Sequence, residues 1–523
     1  MRNWWRGAVI YQIYPRSFGD SDGDGIGDIG GIIDHLDHLA WLGVDTVWLN
    51  PVTVSPNTDF GYDVADYCDV QPEYGTLADF DRLVKETDAR GIRILNDLVP
   101  NHTSDQHAWF ADARSSRTAE HRDWYVWADG KPDGSPPNNW LSEFGGDAWT
   151  LDETTGQYYL HLFLPTQPDL NWWNPEVAEA FDGILKFWFD RGVAGFRIDV
   201  CQAIVKDRDL RDNPSATDED SPNERAFGQR RVYSANRPEV HDVMKRWRKV
   251  ARAFEPERLL LGETYVWDLQ ALTAFYGKRD DEIQLGFNIP FVTAKFDASL
   301  LSGIVGKVQE LFPAHAWPVW TGSNHDAKRF ATRWGDGDER KIRCALMLLL
   351  TLRGTPVLYY GDEIGMPDVE LTQEQLRDPV GLRFWPAYSG RDPGRTPMQW
   401  TDASGAGFTK PRAQPWLPIG DNRSCNVEAQ RRDESSVLHL TRDLIALRKE
   451  FASAPYSKRQ SPDGTWVYRR GKHVIALNLS DETVKISRLR GVVRISTTRA
   501  RDGQEFSGGL SLDGWEGVVV DAS

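Results

Sequence analysis

Apolar and polar residues along this chain alternate between two rhythms. Short runs with period-2 or continuous apolar character fall at 9–14, 46–49, 92–96, 195–199, 259–262, 283–288, 319–322 and 357–360, and these predict strands. Between most of them apolar residues recur every three to four positions, as over 77–90, 177–190 and 239–254, which predicts amphipathic helices. Eight strands separated by helical crossovers predict an α/β fold, a (β/α)8 TIM barrel. From about residue 455 the pattern changes to short alternating segments such as 465–469 and 474–479, which predict a C-terminal antiparallel β-sandwich domain.

The strand spacing is uneven. About 95 residues separate the third and fourth strands, too many for a structureless loop. An inserted domain is therefore expected over 103–170, dividing the barrel into 1–102 and 171–454. The Pro- and Gly-rich stretch 362–425 is expected to make a second, lid-like excursion over the barrel mouth, and 455–523 to form the β-domain.

With 523 residues, 40% of them hydrophobic, the chain has ample material for a core. A net charge of −16 argues against nucleic acid or an anionic membrane as partners. Cys68, Cys201, Cys344 and Cys425 are scattered, with no C-x-x-C pair, which speaks against a zinc site or a disulfide framework. The N-terminal residues from Met1 lack the apolar run of a signal peptide, and the most apolar stretch, 344–352, is too short to span a bilayer. A cytoplasmic location is the expectation. The 22 Trp residues tilt the composition towards sugar-stacking surfaces, although core packing accounts for most aromatics in any protein.

The segment Gly195-Phe-Arg-Ile-Asp-Val200 concentrates the chemistry. On a strand, Arg197 and Asp199 share one face and Phe196, Ile198 and Val200 the other. A fixed cation beside a carboxylate favours its ionised form, which a covalent carboxylate nucleophile requires. A purely structural Arg–Asp pair has the same pattern. Barrel enzymes carry their reactive groups at the C-terminal strand ends. There the sequence places Asn96-Asp97-Leu-Val-Pro-Asn101-His102, Asp199, Gly262-Glu263-Thr264 and Ser323-Asn324-His325-Asp326.

These segments, with 43–51 (Gly-Val-Asp-Thr-Val-Trp-Leu-Asn-Pro), 167–171 (Gln-Pro-Asp-Leu-Asn), 11–18 (Tyr-Gln-Ile-Tyr-Pro-Arg-Ser-Phe) and 395–400 (Arg-Thr-Pro-Met-Gln-Trp), occur in order along the barrel. Through them the chain resembles glycoside hydrolase family 13, the α-amylase superfamily, in its α-glucosidase and oligo-1,6-glucosidase branch. The resemblance implies Asp199 as nucleophile, Glu263 as general acid and base, and Asp326 as stabiliser of the oxocarbenium-like transition state. It further implies that Arg197 keeps Asp199 anionic and that His102 and His325 donate to glucose hydroxyls. Asp59 and Tyr62 would grip the terminal glucose, and Phe144, Phe163 and Gln167 would line the pocket wall. Arg391, or Arg395 in its place, would close the pocket. A closed pocket implies exo-action on short α-glucosides by a monomer or a homo-oligomer alike. In this branch Val200 leans towards α-1,6 linkages, although one pocket residue contributes only about 1–3 kcal/mol of discrimination.

Residues 20–28 read Asp-Ser-Asp-Gly-Asp-Gly-Ile-Gly-Asp. Asp20, Asp22, Asp24, the Ile26 carbonyl and Asp28 follow the spacing of a calcium loop, but Gly31 stands where an EF-hand needs its bidentate Glu. The resemblance implies a structural Ca2+, with Mg2+ as the alternative, and no organic cofactor. A solvated acidic turn has the same composition. Two other functions fit the scaffold. A transglucosidase or sugar isomerase of the trehalose synthase or sucrose isomerase type would use the same three carboxylates. A non-catalytic relative, such as the ectodomain of an amino-acid transporter heavy chain, would have lost them.

Overall fold

The computed structural model describes residues 3–522; Met1 and Arg2 of the N-terminal stretch, and Ser523, lie outside the described residues. Eight parallel strands form the barrel: β1 (Ile10–Ile13), β2 (Thr46–Leu49), β3 (Arg93–Leu98), β4 (Gly195–Ile198), β5 (Leu259–Gly262), β6 (Leu285–Gly286), β7 (Val319–Thr321) and β8 (Thr355–Tyr359). Their order is β6-β5-β4-β3-β2-β1-β8-β7, so the β1–β8 ladder joins the two ends of the chain of strands. Each of the eight expected strands is present. β6 is shorter than expected because Gln284 and Phe287 bond directly to the backbone of Leu260 and Gly262, leaving only two residues in regular register.

The alternation within each strand sorts side chains into two cores. Ile10, Trp48, Leu95, Leu261, Leu285, Val319 and Val357 pack together in the lumen. Tyr11, Val47, Ile94, Phe196, Ile198, Leu260 and Leu358 face the helical layer. The sort places Arg197, between Phe196 and Ile198, in the lumen. Around the outside, Thr76 caps helix Leu77–Asp88 through a reciprocal capping box with Asp79, and Asn174 caps Pro175–Asp190 ahead of a proline at the first helical position.

Between β3 and β4 stands a three-stranded antiparallel sheet of Trp127–Ala128, Gln157–Leu160 and Trp149–Asp152. Beyond β8 the stretch 362–425 is mostly irregular, with the short helix Pro379–Phe384. At the C-terminal end a six-stranded antiparallel sheet is faced by the pair Val484–Ile486 and Leu510–Leu512. The strand Thr465–Arg470 shows how that sheet is used on both faces: Val467 enters the core against the small pair, whereas Trp466 and Tyr468 join the barrel core. Two buried arginines fix the junction. Arg470 donates to the carbonyls of Thr351 and Phe451 at 2.6 and 2.8 Å, and Arg448 to those of Leu350 and Leu352 at 2.9 and 3.0 Å. The carbonyls of Leu350, Thr351 and Leu352, at and beside the end of helix Glu339–Thr351, lack intrahelical partners and carry the negative end of its dipole.

Candidate active site

Arg197 is the hub of the barrel mouth. One amino nitrogen, Nη1, lies 2.8 Å from Asp97 Oδ1 and 2.7 Å from Asp199 Oδ1; the other, Nη2, lies 2.8 Å from Glu263 Oε2. Three carboxylates from the ends of β3, β4 and β5 thus share one buried guanidinium. The sequence pattern pairs Arg197 with Asp199 alone, so Asp97 and Glu263 divide a charge that the pattern assigns to one partner. Burial pushes the Asp199 carboxyl well up against the opposing pull of Arg197, with Glu263 and Asp97 adding to the rise. Burial likewise raises Asp97 to about 6, again against Arg197.

The chain turns sharply past Asp199. Val200 has φ 32° and ψ 47°, a left-handed conformation that is sterically costly for a β-branched residue. The turn aims the Val200 N–H at Glu263 Oε2, 2.9 Å away.

Tyr62 and His325 link this hub to Asp326. The Tyr62 hydroxyl donates to Asp97 Oδ2 at 2.9 Å and lies 2.6 Å from His325 Nε2. Gln12 donates to His325 Nδ1, which fixes the proton on Nε2, facing Tyr62 and Asp326. Burial, together with Arg395, Arg197 and Arg391, holds this imidazole neutral, far below its usual range. Burial also pushes Asp326 up, but the neutral His325 through its Nε2–H, 3.1 Å away, and the Arg391 and Arg395 guanidiniums outweigh it and hold the carboxyl well down.

Asp59 sits on a turn pinned by Asp63, whose carboxylate accepts from Ser55 Oγ at 2.7 Å and from the N–H groups of Thr58 and Asp59. Phe60 and Gly61 take positive φ there, which bends the chain back on itself. Arg391 Nη2 meets Asp59 Oδ1 at 2.6 Å and Asp378 Oδ1 at 2.7 Å, while its Nη1 reaches Asp326 Oδ1 at 3.4 Å. Arg395 lies behind it, on Asp326 Oδ1 at 3.1 Å and on the His325 carbonyl. The structure therefore joins Arg391, and not Arg395, to Asp59.

These groups open into a cavity of about 320 Å3, at the small end of ligand pockets. Asp59, Tyr62, His102, Phe144, Phe163, Asp199, Val200, Glu263, His325, Asp326 and Arg391 all border it. Gln167 and Arg197 stand behind the wall. Gln167 supports Asp59 Oδ2 at 3.1 Å, and it donates to the Tyr62 carbonyl that His102 also bonds. The sequence reading misses an outer group of Glu143, Phe227, Arg231, Tyr265 and Tyr388. Phe227 ends the short helix Pro222–Phe227 and the others come from irregular segments, whose spacing gives no periodic signal.

Two further carboxylate sites flank the barrel. Lys206 is buried, 2.8 Å from Asp169 Oδ2 and 2.5 Å from Asn101 Oδ1, and ties the stretch after β3 to the stretch after β4. In the loop after β1, ligand atoms of Asp20, Asp22 and Asp28 lie within 4.8 Å of one another. Asp24 stands outside that group, and its Oδ1 accepts from the Ile26 N–H at 2.7 Å. The group is all oxygen and strongly anionic, which suits a hard cation such as Ca2+ or Mg2+. Asp20 is already oriented by the N–H groups of Gly23 and Gly25, and Asp28 by Ser21 and Gly31.

The fold is a (β/α)8 barrel whose mouth gathers carboxylates around a small cavity. The α-amylase catalytic-domain family matches residues 12–455, and the chain belongs to that family, in its α-glucosidase and oligo-1,6-glucosidase branch. It is a glycoside hydrolase. A probable α-glucosidase of Rhizobium meliloti (strain 1021) is 45% identical over 462 residues, covering 86% of this chain and 83% of the relative. An oligo-1,6-glucosidase of Parageobacillus thermoglucosidasius is 39% identical over 524 residues, covering 92% and 91%. The crystal structure of the α-glucosyl transfer enzyme XgtA superposes with a TM-score of 0.93 at 39% identity, covering 99% of this chain and all of that one. Among the described residues no helix is long and apolar enough to cross a membrane.

Proposed function

We propose that the protein is a retaining, exo-acting α-glucosidase that releases terminal α-linked glucose from short oligosaccharides. The observation that carries this reading is the single guanidinium of Arg197 bonded to both Asp199 and Glu263. Asp199 attacks the anomeric carbon as Glu263 gives its proton to the departing oxygen, leaving a β-glucosyl ester and a free aglycone. Glu263 then takes a proton from water, whose oxygen displaces Asp199 and restores the α-configuration. Arg197 opposes the effect of burial on Asp199 and so favours the ionised form that attack needs, while the first step needs a proton on Glu263. Arg197 and the Val200 N–H stabilise the charge left behind once it moves. Asp326, held anionic, stabilises the developing positive charge of the sugar.

The Asp59–Arg391 contact supports a pocket closed at one end, hence the exo-action. We place His102 and His325 at the glucose hydroxyls, Tyr62 under the ring and Phe144 and Phe163 on the wall. Val200 and the oligo-1,6-glucosidase relative support a lean towards α-1,6 linkages, with α-1,4 activity alongside. We assign a structural Ca2+, or Mg2+, to Asp20, Asp22 and Asp28, with Asp24 and the Ile26 carbonyl as outer members of the loop. The four free cysteines support a reducing, cytoplasmic compartment. Residues 103–170, with their own small sheet, are proposed as the inserted domain and 455–523 as the terminal one.

The likeness to a glucosyl transfer enzyme favours a second reading, in which a sugar replaces water as acceptor. Incubation with isomaltose, maltose, sucrose and trehalose separates the two: hydrolysis gives free glucose first seen as the α-anomer by NMR, whereas new disaccharides without glucose release establish transfer. Release of the β-anomer first would refute the retaining mechanism.

A further inference from the structure

Most charged side chains bordering the cavity belong to the linked groups around Arg197 and Asp326. Glu143 and Arg231 do not. They form an ion pair of their own, the one pair of the cavity wall, among the described residues, that joins neither of those groups. Arg231 belongs to the long segment after β4, and Glu143 to the stretch after β3. Their side chains are 16% and 29% exposed, so the pair is substantially desolvated and worth more than a surface ion pair.

Both partners are held in place. Glu143 sits in a turn closed by positive φ at Gly145 and Gly146; its N–H donates to the Leu162 carbonyl at 2.7 Å, and Ser142 Oγ donates to the Phe163 carbonyl at 2.7 Å. Arg231 lies over the Phe227 ring, 4.7 Å from its centre. Behind the pair the two segments are already laced together. Asn139 exchanges hydrogen bonds with Asp212 and Asn213 at 2.9 and 2.8 Å, and Trp140 Nε1 donates to the Arg211 carbonyl at 2.9 Å. The wall is therefore built without the ion pair. A desolvated charge pair that the wall does not need for its own cohesion points to a role towards the ligand.

We propose that Glu143 and Arg231 act together as a charge selector for the aglycone, an inference that rests on the glucosidase reading above. Paired, they offer a donor and an acceptor of zero net charge, which suits a neutral sugar or other uncharged aglycone. Unpaired, either one would impose its own sign on the ligand. The two residues are specificity-determining and take no part in bond breaking.

Phenyl α-glucoside and 4-(carboxymethyl)phenyl α-glucoside test the pair, since they differ in aglycone charge but little in the leaving oxygen. Glu143→Gln frees the arginine and is expected to raise the kcat/KM ratio of anionic to neutral glucoside about tenfold, the size of a 1.4 kcal/mol interaction. Arg231→Gln frees the carboxylate and is expected to lower that ratio by a similar factor. The exchange of both residues, E143R with R231E, returns the ratio to within about threefold of wild type. Opposite movement in the two single variants is a readout that loss of packing alone would not give. A ratio that stays within twofold, or moves the same way in both, overturns the proposal. A wild type that turns over neither glucoside overturns the glucosidase reading and the selector with it, whereas turnover with an unmoved ratio overturns the selector alone.

Discussion

Two places in this molecule crowd carboxylates, and they offset the repulsion in different ways. At the barrel mouth, Asp97, Asp199 and Glu263 converge on the fixed guanidinium of Arg197. In the loop after β1, Asp20, Asp22 and Asp28 converge with no side-chain cation among them; the nearby Lys410 ammonium reaches only the Asp22 carbonyl. A cation that is part of a strand cannot leave, so it fixes geometry at all times and lets the cluster exchange protons. A cluster served by backbone N–H groups and the neutral hydroxyls of Ser21 and Thr409 depends on a solution ion for most of its charge balance. The first arrangement suits chemistry and the second suits a clip. Lys206 on Asp169 is an intermediate case, in which a protein cation does a clip's work between two segments.

The comparison breaks first, and most severely, at Arg197. Arg197→Met leaves three buried carboxylates without their cation. Loss of kcat by at least ~10^3-fold is expected, because both proposed reacting groups lose their alignment. Unfolding in urea should also show a loss of about 3–5 kcal/mol, the cost of a buried charge left unpaired. A variant with near-wild-type kcat would remove Arg197 from the hub. Lys206→Met makes the contrast sharper: a stability loss of about 3 kcal/mol is expected from the stranded Asp169, with kcat of the folded enzyme changed less than in Arg197→Met. Equal damage to kcat in both variants would mean that the clip and the hub are one unit.

Chelation addresses the loop. EDTA is expected to lower Tm by a few degrees, in keeping with the ~3 kcal/mol supplied by an ion held well above its Kd, and to leave kcat at 25 °C unchanged. Asp22→Asn should make Tm insensitive to EDTA. Immediate loss of kcat on chelation at low temperature would move the metal into the chemistry.

The eight strands were legible because their apolar periodicity is local, and Arg197 with Asp199 because two residues on one strand face share a direction. Partners across the fold were not legible from pattern. Asp97 and Arg197 are 100 positions apart, and Glu143 and Arg231 are 88 apart. Asp22 and Asp24 each accept from the N–H two residues on, at 3.0 and 2.7 Å, yet of the two Asp22 alone lies in the cluster, so this local bond does not decide which carboxylate joins it.

The smallest expected effect lies in the pH dependence of the hub. Burial raises Asp97 from the ordinary carboxylate value of 3.8 to about 6 in the folded protein. Between those two values the native state holds a proton that the unfolded chain has released, so stability falls as pH rises through this window. The slope from one such group is at most ~1.4 kcal/mol per pH unit. Asp97→Asn carries no titrating proton and keeps one acceptor oxygen, for either the Tyr62 hydroxyl or Arg197, which bond different oxygens of Asp97. Urea unfolding of this variant at pH 4, 5 and 6 should therefore show a flatter profile than wild type, whatever its absolute stability. An unchanged slope would place the hub's proton elsewhere, on Asp199.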